Sequence, residues 1–203
     1  MFGPALGLAQ RYAGLLAGPA TEHGLIGPRE TARLWDRHLM NCAAVAELVP
    51  HPCSMVDLGS GAGLPGVVLA MLLPDSGIVL LEPMARRAAF LEECVRVLGL
   101  GNATVRCARA EEVTGQLEAD VVTARAVAPM KRLAGLALGL VRPGGIVLAI
   151  KGAGAAQELA QAGPVLGRLG ARDAELLQAG HGKVSPPPTV IRLTAGPGAR
   201  EWA

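Results

Sequence analysis

Aromatic side chains are almost missing from this chain: two Phe, two Trp and one Tyr among 203 residues. Apolar residues still make up 51% of it, so a large core is expected, built from aliphatic side chains and alanine. Long hydrophobic runs are missing too. The longest, over 67–73, stops at Pro74 and Asp75, far short of the roughly 20 residues that carry a helix across a bilayer. No basic residue precedes Arg11, which breaks the first apolar run, so the start of the chain reads poorly as a secretion signal. Cys42, Cys53, Cys94 and Cys107 are widely spaced and form no Cys-x-x-Cys pair. That spacing points to no metal site and no disulfide framework, and it predicts a cytoplasmic protein. A surplus of one charge is absent as well, the net charge being +2. A polyanionic partner would have to be met by a local basic face.

The length suits one well-buried domain with a modest extension. Residues 1–50 read as a helical N-terminal cap and residues 51–203 as the main α/β body, both parts of the same domain. Within the cap, Gly27-Pro28-Arg29-Glu30 looks like a helix start. From there Leu34, His38, Cys42, Val45 and Val49 recur at spacings of three and four, predicting one amphipathic helix that ends at Pro50. After Pro52 short apolar runs alternate with helical stretches. Strands are predicted over 55–58, 78–82, 104–107, 120–123 and 146–150. Helices are predicted over 67–73, then along Met84, Ala88, Leu91, Val95 and Leu98, then along Leu133, Ala137 and Leu140. Arg142-Pro143-Gly144-Gly145 reads as a turn. Residues 173–179 and 189–194 suggest a closing antiparallel pair. Continuous apolar strands separated by helices predict a mostly parallel seven-stranded sheet covered on both faces.

The loop after the first strand carries the chemistry. In Asp57-Leu58-Gly59-Ser60-Gly61-Ala62-Gly63-Leu64-Pro65-Gly66, glycines between a strand and a helix let a ligand approach the backbone. Gly61-x-Gly63-x-x-Gly66 matches the dinucleotide fingerprint, with Glu82 near the spacing of a ribose-binding acid. Charge favours another ligand. Asp57 at a strand end would repel a pyrophosphate but attract the ammonium and sulfonium of S-adenosylmethionine. Pro65 removes a backbone donor that a phosphate would use. In the alternative reading the glycines only shape a tight turn and Asp57 caps the following helix. Pro83 holds Glu82 extended, so that its carboxylate ends the second strand and can accept hydrogen bonds from ribose hydroxyls; otherwise it is a solvated acid paired with Arg86 or Arg87. An NAD-dependent oxidoreductase therefore stays open beside the adenosyl reading.

Arg37-His38, the glycine loop, Arg109-Ala110-Glu111-Glu112, Arg125-Ala126 and Ile150-Lys151-Gly152 occur in this order. Together they resemble the ribosomal small subunit methyltransferase G family, also called glucose-inhibited division protein B. The resemblance runs from Gly24 to Gly152 and continues weakly to Leu193. It implies a Rossmann-like class I S-adenosylmethionine-dependent methyltransferase acting on N7 of a guanine in a decoding-region hairpin loop of 16S ribosomal RNA. By position it places cofactor contacts on Gly59, Leu64, Ala110, Glu111 and Arg125, beside Asp57, Gly61, Gly63 and Glu82 from the loop argument. Gly24-Leu25-Ile26 stands where many members have Asn-Leu-Thr, and Asn41-Cys42 where many have Asp-Ser. Both departures lie in the cap and are expected to leave the cofactor site untouched.

Guanine N7 has a lone pair and no proton, so no general base is expected. Arg125, His38 and Lys151 are the catalytic candidates. Arg125 is read as a clamp on the methionine carboxylate or the target nucleotide, or as a structural partner of Asp57; His38 doubles as a packed helix position. Arg29, Arg33, Arg37, Arg86, Arg87, Lys131 and Arg132 complete the RNA-binding candidates with Arg125 and Lys151. Cys107 is read as a core residue of the third strand. The expected partner is 16S ribosomal RNA or the small ribosomal subunit, with no membrane and a monomeric enzyme. A methyltransferase for another RNA or for a small molecule is the remaining alternative.

Overall fold

A strand buried on both faces needs helices on both faces, and this chain delivers them by alternation. The computed structural model describes residues 1–197, so the last six residues of the body predicted over 51–203 lie outside the described residues. The cap holds α1 (Leu6–Ala17), α2 (Pro19–Glu22) and α3 (Met40–Val45). Then follow β1 (Ser54–Leu58), α4 (Gly66–Leu72), β2 (Gly77–Leu81), α5 (Ala85–Leu98), β3 (Ala103–Arg106) and α6 (Ala110–Val113). The remainder is β4 (Ala119–Arg125), α7 (Met130–Leu138), β5 (Val141–Lys151), α8 (Ala155–Leu166), β6 (Ala171–Gln178) and β7 (Thr189–Ala195).

The strands form one seven-stranded sheet in the order β3-β2-β1-β4-β5-β7-β6. The first five are parallel, and β7 runs antiparallel to both β5 and β6. Successive strand residues point to opposite layers. Met55, Ile78, Leu80, Val121 and Leu148 join the core under α1, α3, α4 and α5. Val56, Leu58, Leu81, Val122 and Val147 join the core under α7 and α8. The chain runs outward from β1 through β2 to β3, then returns to the other side of β1 as β4. That reversal opens a crevice at the carboxyl ends of β1 and β4, the usual ligand position in such sheets.

Several elements differ from the sequence reading. The helix expected from Pro28 to Pro50 is wound as a 3₁₀ segment (Pro28–Arg33), a π segment (Leu34–Leu39), α3 and a last 3₁₀ segment (Ala46–Leu48). Periodicity reports which face is buried, and Leu34, His38, Cys42 and Val45 are indeed buried, but it is blind to changes in hydrogen-bond winding. β5 begins at Val141, taking in the expected turn 142–145; its three exposed residues there coincide with a register irregularity against β4, as in a bulge. Cys107 is exposed and lies beyond β3, which ends at Arg106, so its core assignment is corrected. Helix α8 was hidden by its glycine and the internal Pro164.

Gly66 opens α4 directly against β1. A Cβ added there would meet Leu80 Cδ2 and come within 2.6 Å of Asp57 Oδ2 and 2.8 Å of Asp57 Cβ. Gly66→Ala is therefore expected to lose about 1–3 kcal/mol of stability through overpacking. Urea denaturation measures this, and a midpoint equal to the parent's would refute the close approach.

Candidate functional site

The carboxyl ends of the parallel strands enclose two neighbouring cavities. The first, of about 250 Å³, is walled by Leu58 and Gly59 after β1, Leu81 and Glu82 after β2, Ala110 and Glu111 of α6, and Val127 after β4. Gly59 has a φ of +68°, and a Cβ there would fall 2.8 Å from Val127 Cγ2, so only glycine lets the two loops approach this closely. The Glu82 side chain is 2% exposed. Its Oε2 accepts the Gly61 N–H at 2.9 Å and its Oε1 accepts the Met84 N–H at 3.0 Å. Arg87 Nη1 stands 4.0 Å from that carboxylate, and Arg87 Nε is buried without a partner. Each Glu82 oxygen keeps a lone pair for a further donor. At the other wall, the Arg109 N–H donates to the Glu112 carboxylate at 2.8 Å and starts α6.

Four of the expected cofactor residues thus share this cavity: Gly59, Glu82, Ala110 and Glu111. Gly61 is held by Glu82 just behind it, and Gly63 and Leu64 continue the loop away from the cavity, Leu64 packing on the apolar core. Asp57 follows the alternative reading, a cap on the next helix, rather than a contact to a ligand. It is 1% exposed, with Oδ1 accepting from Thr123 Oγ1 at 2.8 Å and Oδ2 from the Gly66 N–H at 3.0 Å. The carboxylate fastens β1 to β4 and caps α4, and neither oxygen lines a cavity with the ligand-facing loop. Charge at Asp57 therefore does not decide between the two cofactors. Sequence reasoning also missed Tyr12, the only Tyr of the chain. Fully buried, it donates from its hydroxyl to the Ala62 carbonyl at 2.6 Å and ties α1 to the glycine loop.

The second cavity, of about 510 Å³, is bordered by Arg37, Asn41, Arg125, Lys151 and Glu158. It shares Ala126 and Val127 with the first. Ala126 has a φ of +55°, the only non-glycine residue with positive φ among the described residues, and strain of this kind concentrates where loops are held for function. Arg125 donates to His38 Nδ1 at 2.5 Å and to Cys42 Sγ at 3.3 Å, not to Asp57. His38 Nε2 in turn meets Glu30 Oε2 at 2.8 Å. Burial, then the neighbouring Arg125 charge, holds the His38 pKa below its ordinary value, so the ring is neutral, accepting at Nδ1 and donating at Nε2. Both nitrogens are engaged. Lys151, whose side chain is 8% exposed, donates to the Ala128 carbonyl at 2.8 Å and to Glu158 Oε2 at 2.7 Å. The structure thus places Arg125 and Lys151 at one cavity, with His38 buried behind Arg125 and outside the lining.

The cap departure at Asn41-Cys42 does reach the site: Cys42 touches Arg125 and Asn41 borders the cavity. Neither residue lines the first cavity, so the departure bears on the second cavity and leaves the first one's lining unchanged. Gly24-Leu25-Ile26 lies away from both cavities, with Ile26 in the core. Of the basic candidates, Arg37, Arg125 and Lys151 line the second cavity and Arg87 and Arg132 the first. Arg29, Arg33, Arg86 and Lys131 are exposed and line neither.

The profile of a family described as rRNA small subunit methyltransferase G matches residues 6–182. A ribosomal RNA small subunit methyltransferase G of Thermobifida fusca is 56% identical over 194 residues, covering 96% of this chain and 82% of the relative. One of Streptomyces coelicolor is 50% identical, covering all of this chain and 86% of the relative. Among solved structures, precorrin-6y C5,15-methyltransferase of Geobacter metallireducens superposes with a TM-score of 0.56 at 18% identity, over 83% of this chain and 89% of that one. An rRNA methylase of Streptococcus thermophilus gives 0.54 at 16% identity, over 77% and 95%. The solved structures share the fold.

Burial pushes the Asp57 pKa from 3.8 up to about 6, against the hydrogen bonds from Thr123, Ser60 and Gly66. The folded chain therefore binds a proton more tightly than the unfolded one. The stability this proton contributes is present below pH 4 and lost as pH rises through 6. Comparing the parent with Asp57→Asn by urea denaturation from pH 4 to 7, the parent's stability is expected to fall by about 2 kcal/mol relative to the variant. A constant difference across that range would show that the carboxylate is not buried as described.

Proposed function

The chain belongs to the rRNA small subunit methyltransferase G family, and we propose that it transfers the methyl group of S-adenosylmethionine to N7 of a guanine in 16S ribosomal RNA. The observation that carries this reading is the pairing of two cavities across one shared wall, Ala126 and Val127. One has aliphatic walls around a buried acid, Glu82, with Arg87, Arg109 and Arg132 at its edge; the other is larger and bordered by Arg37, Arg125 and Lys151.

The residues of the first cavity fit an adenosine. Leu58, Leu81, Ala110 and Leu136 offer aliphatic walls for a purine, a substitute for the aromatic stacking that this composition denies. The free lone pairs of Glu82 suit two ribose hydroxyls, and the unpaired Arg87 Nε suits an acceptor on the same nucleoside. Gly59 allows the backbone to close on the ligand. S-adenosylmethionine, when bound, supplies a methyl group activated by a sulfonium.

The second cavity suits the nucleotide that receives it. Arg125 is held in place by His38 and Glu30, and Lys151 by Glu158 and the Ala128 carbonyl. Both present fixed positive charge to a phosphate or to an RNA loop. A loop guanine is already partly unstacked, so seating it here costs less than extruding it from a duplex. N7 carries no proton, and no side chain has to remove one. His38, engaged at both nitrogens, acts through Arg125 as a positioning residue. Catalysis then rests on aligning N7 with the methyl group where the two cavities meet beside Ala126 and Val127. The enzyme works on this reading as a monomer in the cytoplasm, on 16S RNA or the small subunit.

The test uses purified protein, calorimetry with S-adenosylhomocysteine, and small subunits from cells that lack the modification. Binding of the nucleoside and appearance of 7-methylguanosine in digested 16S RNA by mass spectrometry are expected. Binding without 7-methylguanosine would overturn the substrate; binding of NAD alone would overturn the cofactor. Glu82→Gln, which turns an acceptor oxygen into a donor, is expected to weaken S-adenosylhomocysteine about 10- to 100-fold, from one or two lost charged hydrogen bonds.

A further inference from the structure

The cations around the second cavity, Arg37, Arg125 and Lys151, are donors and offer no acceptor. Arg125 gives to His38 and Cys42, and Lys151 to Ala128 and Glu158. Glu158 Oε2 accepts both Lys151 and the Met130 N–H. Asn41 differs from them. Its Oδ1 is buried and has no hydrogen-bond partner, one of two such side-chain atoms among the described residues. The other, Arg87 Nε, belongs to the first cavity. A buried carbonyl oxygen without a donor is costly and seldom kept without a use.

Asn41 borders the second cavity from α3, beside the Cys42 that touches Arg125. The terminal torsion of an amide is broad and nearly two-fold, so Oδ1 can turn toward an incoming donor at little cost. On the reading that guanine N7 is the methyl acceptor, N7 faces the shared wall at Ala126 and Val127. The ring N1–H and the 2-amino group then lie on the far edge of the base. Those groups are donors and need an acceptor, which no arginine or lysine can be. Adenine presents a ring nitrogen acceptor and a C–H at the same two places.

We propose that Asn41 is a specificity-determining residue whose Oδ1 accepts from the N1–H and 2-amino edge of the target guanine, selecting guanine over adenine. This rests on the guanine-N7 function proposed above. Asn41 touches the base alone, so its loss affects the RNA step and leaves the methyl donor site intact.

The experiment compares Asn41→Ala, Asn41→Leu and Asn41→Asp with the parent on small ribosomal subunits from cells lacking the modification. Calorimetry with S-adenosylhomocysteine and thermal unfolding are run on each. For Ala and Leu, kcat/KM is expected to fall about 10- to 100-fold, the effect of one unpaired buried hydrogen-bonding group, with nucleoside affinity and Tm unchanged. Asp keeps an acceptor oxygen and is expected to stay within about threefold of the parent, on the same principle. Parental kinetics in Ala and Leu, or an Asp variant as impaired as Ala, would overturn the proposal while leaving the function standing. Loss of nucleoside affinity in step with activity would make Asn41 structural and overturn it as well. A parent enzyme that binds the nucleoside but makes no 7-methylguanosine would remove both readings.

Discussion

A single buried carboxylate holds the place where the sheet opens. Asp57 ends β1, accepts from Thr123 on β4 and caps α4 through Gly66. Its charge lies in the core, 1% exposed, and burial raises its pKa. That arrangement costs stability at neutral pH, yet it fixes three elements at the crevice to one another. With them fixed, Gly59 meets Val127 and Glu82 reaches Gly61.

The two cavities follow from that junction. Because β1 and β4 are neighbouring parallel strands, the loops after them lie side by side, and the one after β4 turns through Ala126 in a left-handed conformation. One short segment, Ala126 and Val127, then lines both cavities. The chemistry needs little more, since attack by guanine N7 transfers no proton.

The cap completes the second cavity. Glu30, His38 and Arg125 form a hydrogen-bonded chain from the cap to the end of β4. Neutral His38 is well suited to it, because the ring can accept from an arginine on one side and donate to a carboxylate on the other. Tyr12 makes a second tie, from α1 to the glycine loop. The cap is thus joined both to the glycine loop and to the border of the second cavity.

The sequence by itself determined the sheet, because burial on both faces leaves continuous apolar runs that local reading detects. It also determined the glycine loop, Glu82 and the family, because ordered motifs survive without any knowledge of contacts. It was silent on the π winding around His38, the bulged start of β5 and helix α8, where hydrogen-bond pattern departs from composition. Only the tertiary structure decided what Asp57 does: a carboxylate at a strand end reads as a ligand for a cation until Thr123, 66 residues further along the chain, is seen to occupy it. The same holds for Asn41, Cys42 and Tyr12, whose partners in the site are distant in sequence. Periodicity places a side chain on a face; which distant group meets it there is settled by packing.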